Sequence, residues 1–297
     1  MKILFKLAII LFLLVIIYQW TKPKEKMNQK KETEIIVEVK RSDGIHKLDI
    51  NTYLIGVVGS EMSPTYEKEA LKAQCVAART FVCARNYQVD DSVNSQVYRD
   101  ESQLKQQWGK HFNKYYQKLK EVVQETEDEI LTYDGQPISA LFHAQSCGKT
   151  ANSQDYFQTA YPYLQSVEST SDIQEDDFIQ TMSFDIETFM QALKLDEAPF
   201  YIATPIRYES GYVQSWEMNG QIFSGREVRE ALGLRSSAFE VQFDGNQFTF
   251  TTKGYGHGVG MSQRGANAMA KEGFNYQQIL KHYYQGVEIT KPLYKLQ

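Results

Sequence analysis

The sequence predicts an α+β fold of mixed helices and antiparallel hairpins, and three observations carry that prediction. The dipeptides Asp134-Gly135, Asn219-Gly220 and Asp244-Gly245 each stand between extended runs, where a hairpin turn needs residues that tolerate positive φ. Several segments carry helix-capping residues followed by apolar positions at helical spacing. Strand-like runs and helices do not alternate, so a parallel sheet built from βαβ units is not indicated. No internal repeat is visible.

Taken in order, "EIIVEV" (34–39) alternates as a strand does, and "SDG" (42–44) turns it back into "IHKLDI". Asn51 is positioned to cap a short helix over 52–58. Ser63-Pro64 opens a long helix, about 64–87, whose inner stripe is Leu71, Cys75, Ala78 and Val82. Residues 88–110 read as a polar loop, and "HFNKYYQKLKEVVQETE" (111–127) as an amphipathic helix. "EILTY" and "PISALFHAQ" flank the first hairpin turn. Residues 169–198 are acidic and weakly patterned, which suggests a peripheral insertion. Ser224 and Glu227 form a capping box for a short helix ending near Gly233. "GYGHGVGMSQRGANAMAKEG" (254–273) is a glycine-rich loop feeding a helix, and a last helix starts at Asn275 with Gln278 in the boxing position.

With 297 residues and 42% hydrophobic content, the chain has material for one large domain or two small ones. A net charge of −5 does not favour a nucleic-acid partner. Three cysteines do not make a disulfide framework. Cys75 and Cys83 fall on one helix, about 12 Å apart along its axis, too far to bond each other. "ILFKLAIILFLLVIIYQW" (3–20) is apolar enough to span a membrane, and no small-residue cleavage site follows it. The organisation read from this is an uncleaved signal anchor (1–20), a polar stalk (21–33) and a globular domain (34–297). Lysines flank the span on both sides, and the cluster at 22–31 would by itself favour a cytoplasmic domain.

Four constellations could carry chemistry. Glu61 stands in "GVVGSEM", where poor solvation would favour the protonated form that a general acid needs; a solvated loop glutamate is the plainer alternative. Lys72, Cys75 and Arg79 share one face of an alanine-rich helix, either as a binding face or as surface charges. "GYGHGVGMSQ" places four glycines around His257, for approach to a ligand or simply for a tight turn. "FHAQSCGKT" sets His143 four residues before Cys147. That is a two-ligand fragment, short of the three or four that zinc takes, or a cysteine nucleophile with a histidine base.

Three segments together resemble one family. "YLIGVVGSEMSPTYEKEALKAQCVAARTF", "LFHAQSCGKTANS" followed by "YPYLQSVES", and "GYGHGVGMSQRGANAMAKEGFNYQQILKHYYQGV" are similar, in order and spacing, to the stage II sporulation protein D family. "SGREVREALGLRSSAF" fits as well, and the resemblance covers about residues 34–290. It implies a membrane-anchored lytic transglycosylase acting, during forespore engulfment, on peptidoglycan strands stripped of their peptides. The fold would then surround a glycan-binding cleft. The resemblance gives Glu61 the catalytic role and sets Arg79 in the glycan groove. It makes Lys72, Gln74, His143, Ser146, His257, Ser262 and Gln263 further substrate-binding residues. It requires no cofactor, while leaving open a zinc ion near His143 and Cys147. Its partners would be glycan strands, a wall amidase, a membrane scaffold protein and the cell membrane itself, with the domain outside the cytoplasm, between mother-cell and forespore membranes. Two positions depart from the pattern: Cys75 replaces the usual alanine, and Cys147 the first glycine of Ser-Gly-Gly. A glycan-binding enhancer of a wall amidase is the alternative within the resemblance. A cysteine hydrolase using Cys147 is the alternative outside it.

Overall fold

Strands β1 (Ile36–Arg41) and β2 (Gly44–Asp49) pair antiparallel from Ile36↔Asp49 to Arg41↔Gly44, the hairpin that the alternation of "EIIVEV" predicts. In this computed structural model the described residues are 35–92, 95–199 and 201–291. The predicted span at 3–20 and the stalk at 21–33 lie outside them. No helix among the described residues is long and apolar enough to cross a membrane.

The chain leaves β2 directly into α1 (Ile50–Glu61). Its cap is Asp49, not the expected Asn51: the Asp49 carboxylate accepts the backbone N–H groups of Asn51 and Thr52 at 3.1 and 3.0 Å. The helix runs three residues past the expected end at 58, because Tyr53 to Gly59 are all buried and hold it in the core. Ser63-Pro64 does not start the next helix. Ser63 closes a local turn with Thr65 instead, and α2 runs from Lys68 to Cys83. The predicted stripe of Leu71, Cys75, Ala78 and Val82 is fully buried.

Residues 88–110 are more ordered than their polarity suggests. They hold β3 (Gln88–Asp90), which pairs parallel to β1, and α3 (Glu101–Trp108), capped by a box between Asp100 and Gln103. The amphipathic helix follows as α4 (Phe112–Glu125). Then come β4 (Ile130–Tyr133), β5 (Gln136–Pro137), β6 (Phe142–His143) and the short helix α5 (Ser153–Phe157). The Asp134-Gly135 turn joins β4 to β5 as predicted.

The 169–198 segment is not peripheral. It contains a 3-10 turn (Thr170–Gln174), β7 (Ile179–Asp185) and α6 (Ile186–Leu193). Next are β8 (Ile206–Arg207), β9 (Val213–Met218), β10 (Gln221–Phe223), α7 (Gly225–Leu232), β11 (Phe239–Phe243) and β12 (Gln247–Lys253). Strands β8 to β10 form one antiparallel sheet, and β7 joins β12 and β11 in another. Between them lies a second hydrophobic core, in which Phe189 of α6 stacks on Phe248 of β12 at 3.8 Å and Trp216 packs edge-on. The hairpin turns at Asn219-Gly220 and Asp244-Gly245 fall where predicted, as does the capping box of α7.

Strand β13 (Met261–Ser262) then returns to pair parallel with β6, in register Met261↔Phe142 and Ser262↔His143. Helices α8 (Gln263–Lys271) and α9 (Tyr276–Tyr283) pack on α2, and β14 (Glu288–Thr290) closes the sheet beside β4. The α+β prediction therefore holds, with β1–β3 and β6–β13 as parallel exceptions to its antiparallel pairing.

Candidate active site

Glu61 is the last residue of α1, where the negative end of the helix dipole already disfavours another negative charge. Burial pushes its carboxyl pKa up. The Val97 N–H (2.7 Å from Oε1), the Gln263 side chain and the Arg99 charge pull in the other direction and only partly offset it. Among these groups there is no second carboxylate.

The loop carrying Val97 and Arg99 is fixed against α1. Tyr53 donates its hydroxyl to Gln96 at 2.8 Å, and the Tyr98 ring stacks on Tyr53 at 5.8 Å. Gly56 makes this approach possible: a Cβ there would stand 2.3 Å from the Tyr98 ring and 2.6 Å from the Arg99 carbonyl. The glycine of "GVVG" is thus the space into which the loop closes on Glu61.

Behind Glu61 stand two amides. Gln263, the first residue of α8, acts on Glu61 to lower its pKa, and its Nε2 donates to Gln74 Oε1 of α2 at 3.4 Å. Both amides are buried.

The β6–β13 pairing brings the "FHAQSCG" and "GMSQ" motifs together. Gly260 shows what the glycine-rich loop is for: its φ is +75° and a Cβ would fall 2.0 Å from the Leu141 carbonyl. There the loop approaches its own chain. Ser146 and Ser262 both donate to the buried carboxylate of Asp172, at 2.6 and 2.9 Å, and Ser169 adds a third hydroxyl at 2.9 Å. Asp172 was invisible to sequence reasoning, being one acid in a segment of many. His143 and His257 share the Val259 peptide: its N–H bonds His257 Nδ1 at 3.0 Å, and its carbonyl accepts from His143 Nδ1 at 3.2 Å. Burial, with the neighbouring positive charge, depresses both pKa values, to about 3 for His143 and about 4 for His257. Both rings are neutral at physiological pH.

Lys72 and Arg79 do share a helical face, but it looks at the end of α4. Arg79 is 1% exposed and donates to the carbonyls of Thr126, Glu129 and Val123 at 2.7, 3.1 and 3.4 Å. Lys72 pairs with Glu69 and Glu125, both at 2.8 Å. The expected place for Arg79 in a glycan groove is therefore corrected: the last carbonyls of a helix lack internal partners, and a guanidinium satisfies several at once.

Cys147 donates its thiol to the Ser210 carbonyl at 3.2 Å, and burial raises its pKa, the opposite of what a thiolate nucleophile needs. Among the described residues no group of three or more His, Cys, Asp or Glu side chains is placed to hold a metal ion. His143 and Cys147 alone do not fit a zinc held by three or four protein ligands.

The assembled site is one carboxylic acid held towards its neutral form, with an N–H and an amide aimed at it. The family model described as stage II sporulation protein matches residues 38–133, a stretch that includes Glu61. Stage II sporulation protein D of Bacillus amyloliquefaciens is 40% identical over 276 residues, covering 88% of this chain and 80% of that protein. Its Bacillus subtilis counterpart is 39% identical over 287 residues, covering 91% and 84%. A more distant relative, the amidase enhancer of Bacillus subtilis, is 28% identical over 294 residues and is spanned over 40% of its length. On the extent of these matches, the chain belongs to the stage II sporulation protein D family.

Proposed function

We propose that this sporulation protein is a lytic transglycosylase that cuts peptide-free peptidoglycan strands and leaves 1,6-anhydro-muramic ends. The observation that carries the reading is Glu61: a single carboxyl pushed towards its acid form, with no second carboxylate among the groups that act on it. Ordinary glycoside hydrolysis uses two, one as acid and one as nucleophile or base. Intramolecular attack removes the need for the second.

In this mechanism the Glu61 hydroxyl gives its proton to the glycosidic oxygen as the bond from that oxygen to the anomeric carbon breaks. The 6-hydroxyl of the same muramic ring attacks the anomeric carbon and forms the anhydro bridge. Glu61, now a carboxylate held by the Val97 N–H and Gln263, takes the proton from that hydroxyl and is ready for another turnover. A well-oriented internal nucleophile acts at an effective molarity of ~10⁵ M or more, which compensates for the missing second carboxylate.

The substrate sets the topology. A wall-cutting domain must lie outside the cytoplasm, so the apolar stretch 3–20 would hold it on the outer face despite the lysines that follow. A peptide-stripping amidase and a membrane scaffold protein are the partners this role calls for.

The test is mass spectrometry of products from peptide-stripped glycan incubated with the full chain and with Glu61→Gln. Anhydro-muramic ends from the wild type and none from the variant are expected. Reducing ends from the wild type would instead mean hydrolysis, and anhydro ends from the variant would remove Glu61 from the mechanism. The amidase-enhancer relative supports a second reading, a glycan-binding recruiter of an amidase. Bound but uncut glycan with both forms would select it.

A further inference from the structure

Among the described residues, Arg99 is the one arginine whose guanidinium makes no hydrogen bond and no ion pair. Every other arginine donates to a carboxylate, a phenol or a backbone carbonyl. Yet the segment that carries Arg99 is held firmly. Gln96 accepts the Tyr53 hydroxyl at 2.8 Å, and the Val97 N–H bonds Glu61 Oε1 at 2.7 Å. The Tyr98 ring stacks on Tyr53 and lies 5.5 Å from the Arg41 guanidinium. Asp100, the acid next to Arg99 in sequence, accepts from Arg41 at 3.0 Å and caps α3, so it is already committed. Gln96 and Tyr98 are buried, while Val97 and Arg99, alternating with them, are partly exposed. Side chains that alternate in this way face opposite sides of an extended segment. Arg99 therefore stands on the open side, two residues from the N–H that holds Glu61, a backbone distance of about 7 Å.

The substrate of the proposed reaction has a group that such a cation would recognise. Each muramic ring carries a lactyl ether on carbon 3. While a stem peptide is attached, the lactyl carbonyl belongs to a neutral amide. Hydrolysis of that amide leaves a carboxylate. Carbon 1 of the same ring is where the glycosidic bond breaks, so this carboxylate lies a few bonds from the oxygen that Glu61 protonates. A guanidinium offers a carboxylate two parallel N–H groups and a full charge, and an amide matches neither. Lys72 and Arg79, the cations first expected in the groove, are taken up by Glu69, Glu125 and the end of α4.

We propose that Arg99 is a specificity-determining residue: its guanidinium binds the free lactyl carboxylate of the muramic ring being cut, so that cleavage waits for removal of the peptide. The role assigned to Arg99 rests on the transglycosylase reading for the ring and the bond. Arg99 exchanges no proton in it, being charged at any working pH. It supplies the discrimination between stripped and peptide-bearing strands that Glu61 alone does not.

The test uses the full chain, its Arg99→Gln form and two glycans. One is peptide-stripped glycan; the other is the same material with its lactyl carboxylates converted to methylamides. The wild type should show a KM at least about tenfold higher on the methylamide glycan, the scale of one charge-assisted hydrogen bond. Arg99→Gln should show the same rise on the carboxylate glycan and no further rise on the methylamide. A wild type that cuts both glycans equally well overturns the proposal, and that comparison does not depend on how the variant folds. A variant that loses the same factor on both glycans also overturns it, because Arg99 would then act on something other than the carboxylate. Should the wild type make no anhydro product from either glycan, the transglycosylase reading fails. Fluorescence polarisation of labelled strands, which needs no cleavage, then decides Arg99 by the same four-way comparison: preference for the carboxylate glycan that disappears in Arg99→Gln supports it, and equal affinities overturn it.

Discussion

Arg79 shows how a residue's role depends on what arrives from elsewhere in the chain. Its guanidinium reaches the end of α4, 44 to 50 residues onward, and takes three carbonyls there. A fixed positive charge at the negative end of a helix is favourable, and the planar fork bonds several carbonyls at once. Arg79→Ala is therefore expected to cost about 3 kcal/mol in urea unfolding, since three charge-assisted bonds from a buried guanidinium are lost together. Arg79→Lys should recover little, because a single ammonium cannot match that fork. Unchanged glycan affinity in the folded fraction would agree with the capping role, whereas lost affinity at full stability would return Arg79 to a groove. Spacing alone placed Lys72 and Arg79 on one face, but not what that face meets. Glu61 was legible as an acid in an apolar run, but the groups that act on it, Val97, Arg99 and Gln263, come from elsewhere in the chain. Asp172 was harder, because the serines that bond it come from residues 146, 169 and 262.

At the scale of elements, local signals were legible and distant ones were not. The boxes at Ser224/Glu227 and Asn275/Gln278 cap α7 and α9 as read, because both halves of the signal lie within four residues. Helix α3 has the same kind of box, but only Leu104 and Trp108 of its eight residues are buried, so its apolar period is too sparse to register. The 169–198 segment misled for a different reason. Its strand β7 finds its partner β12 more than sixty residues later, and α6 finds its core only when Trp216, Phe248 and Phe250 arrive. The start of α8 has a consequence for the site. Ser262 caps it by accepting the Gly265 N–H at 3.1 Å, and Asp172 holds Ser262 in turn. Ser262→Ala should cost about 1 kcal/mol, an ordinary N-cap loss. Asp172→Ala should cost more, about 3 kcal/mol, because three hydroxyls and the Ser146 N–H lose one acceptor together. Equal losses in urea unfolding would mean that Asp172 only supports the cap.

Over the whole molecule, α+β class and hairpin placement were legible, while the division into two hydrophobic cores was not, since core membership depends on long-range pairing. One property of the molecule follows from its buried titrating groups. His143 and His257 are neutral in the folded state, with pKa values near 3 and 4, and would titrate near 6.5 if unfolded. The unfolded chain therefore binds more protons across that interval. Their contribution is fully present above about pH 6.5 and is lost as pH falls towards 4 and then 3, at about 1.4 kcal/mol per pH unit for each ring. Glu61 and Asp172 oppose this. Burial raises their folded pKa values, so their share is present at low pH and fades as pH rises through those values. The two effects overlap in any single unfolding curve, and comparison with a variant separates them. A protein with His143→Gln and His257→Gln keeps the carboxyls and removes the rings. It should be less stable than the wild type at pH 7, because the bonds to the Val259 peptide are altered. Between pH 6.5 and 4 its stability should fall less steeply, so the gap between the two proteins narrows with acid. Parallel curves over that range would mean that the rings are already solvated, and with them the joint between β6 and β13 that buries them.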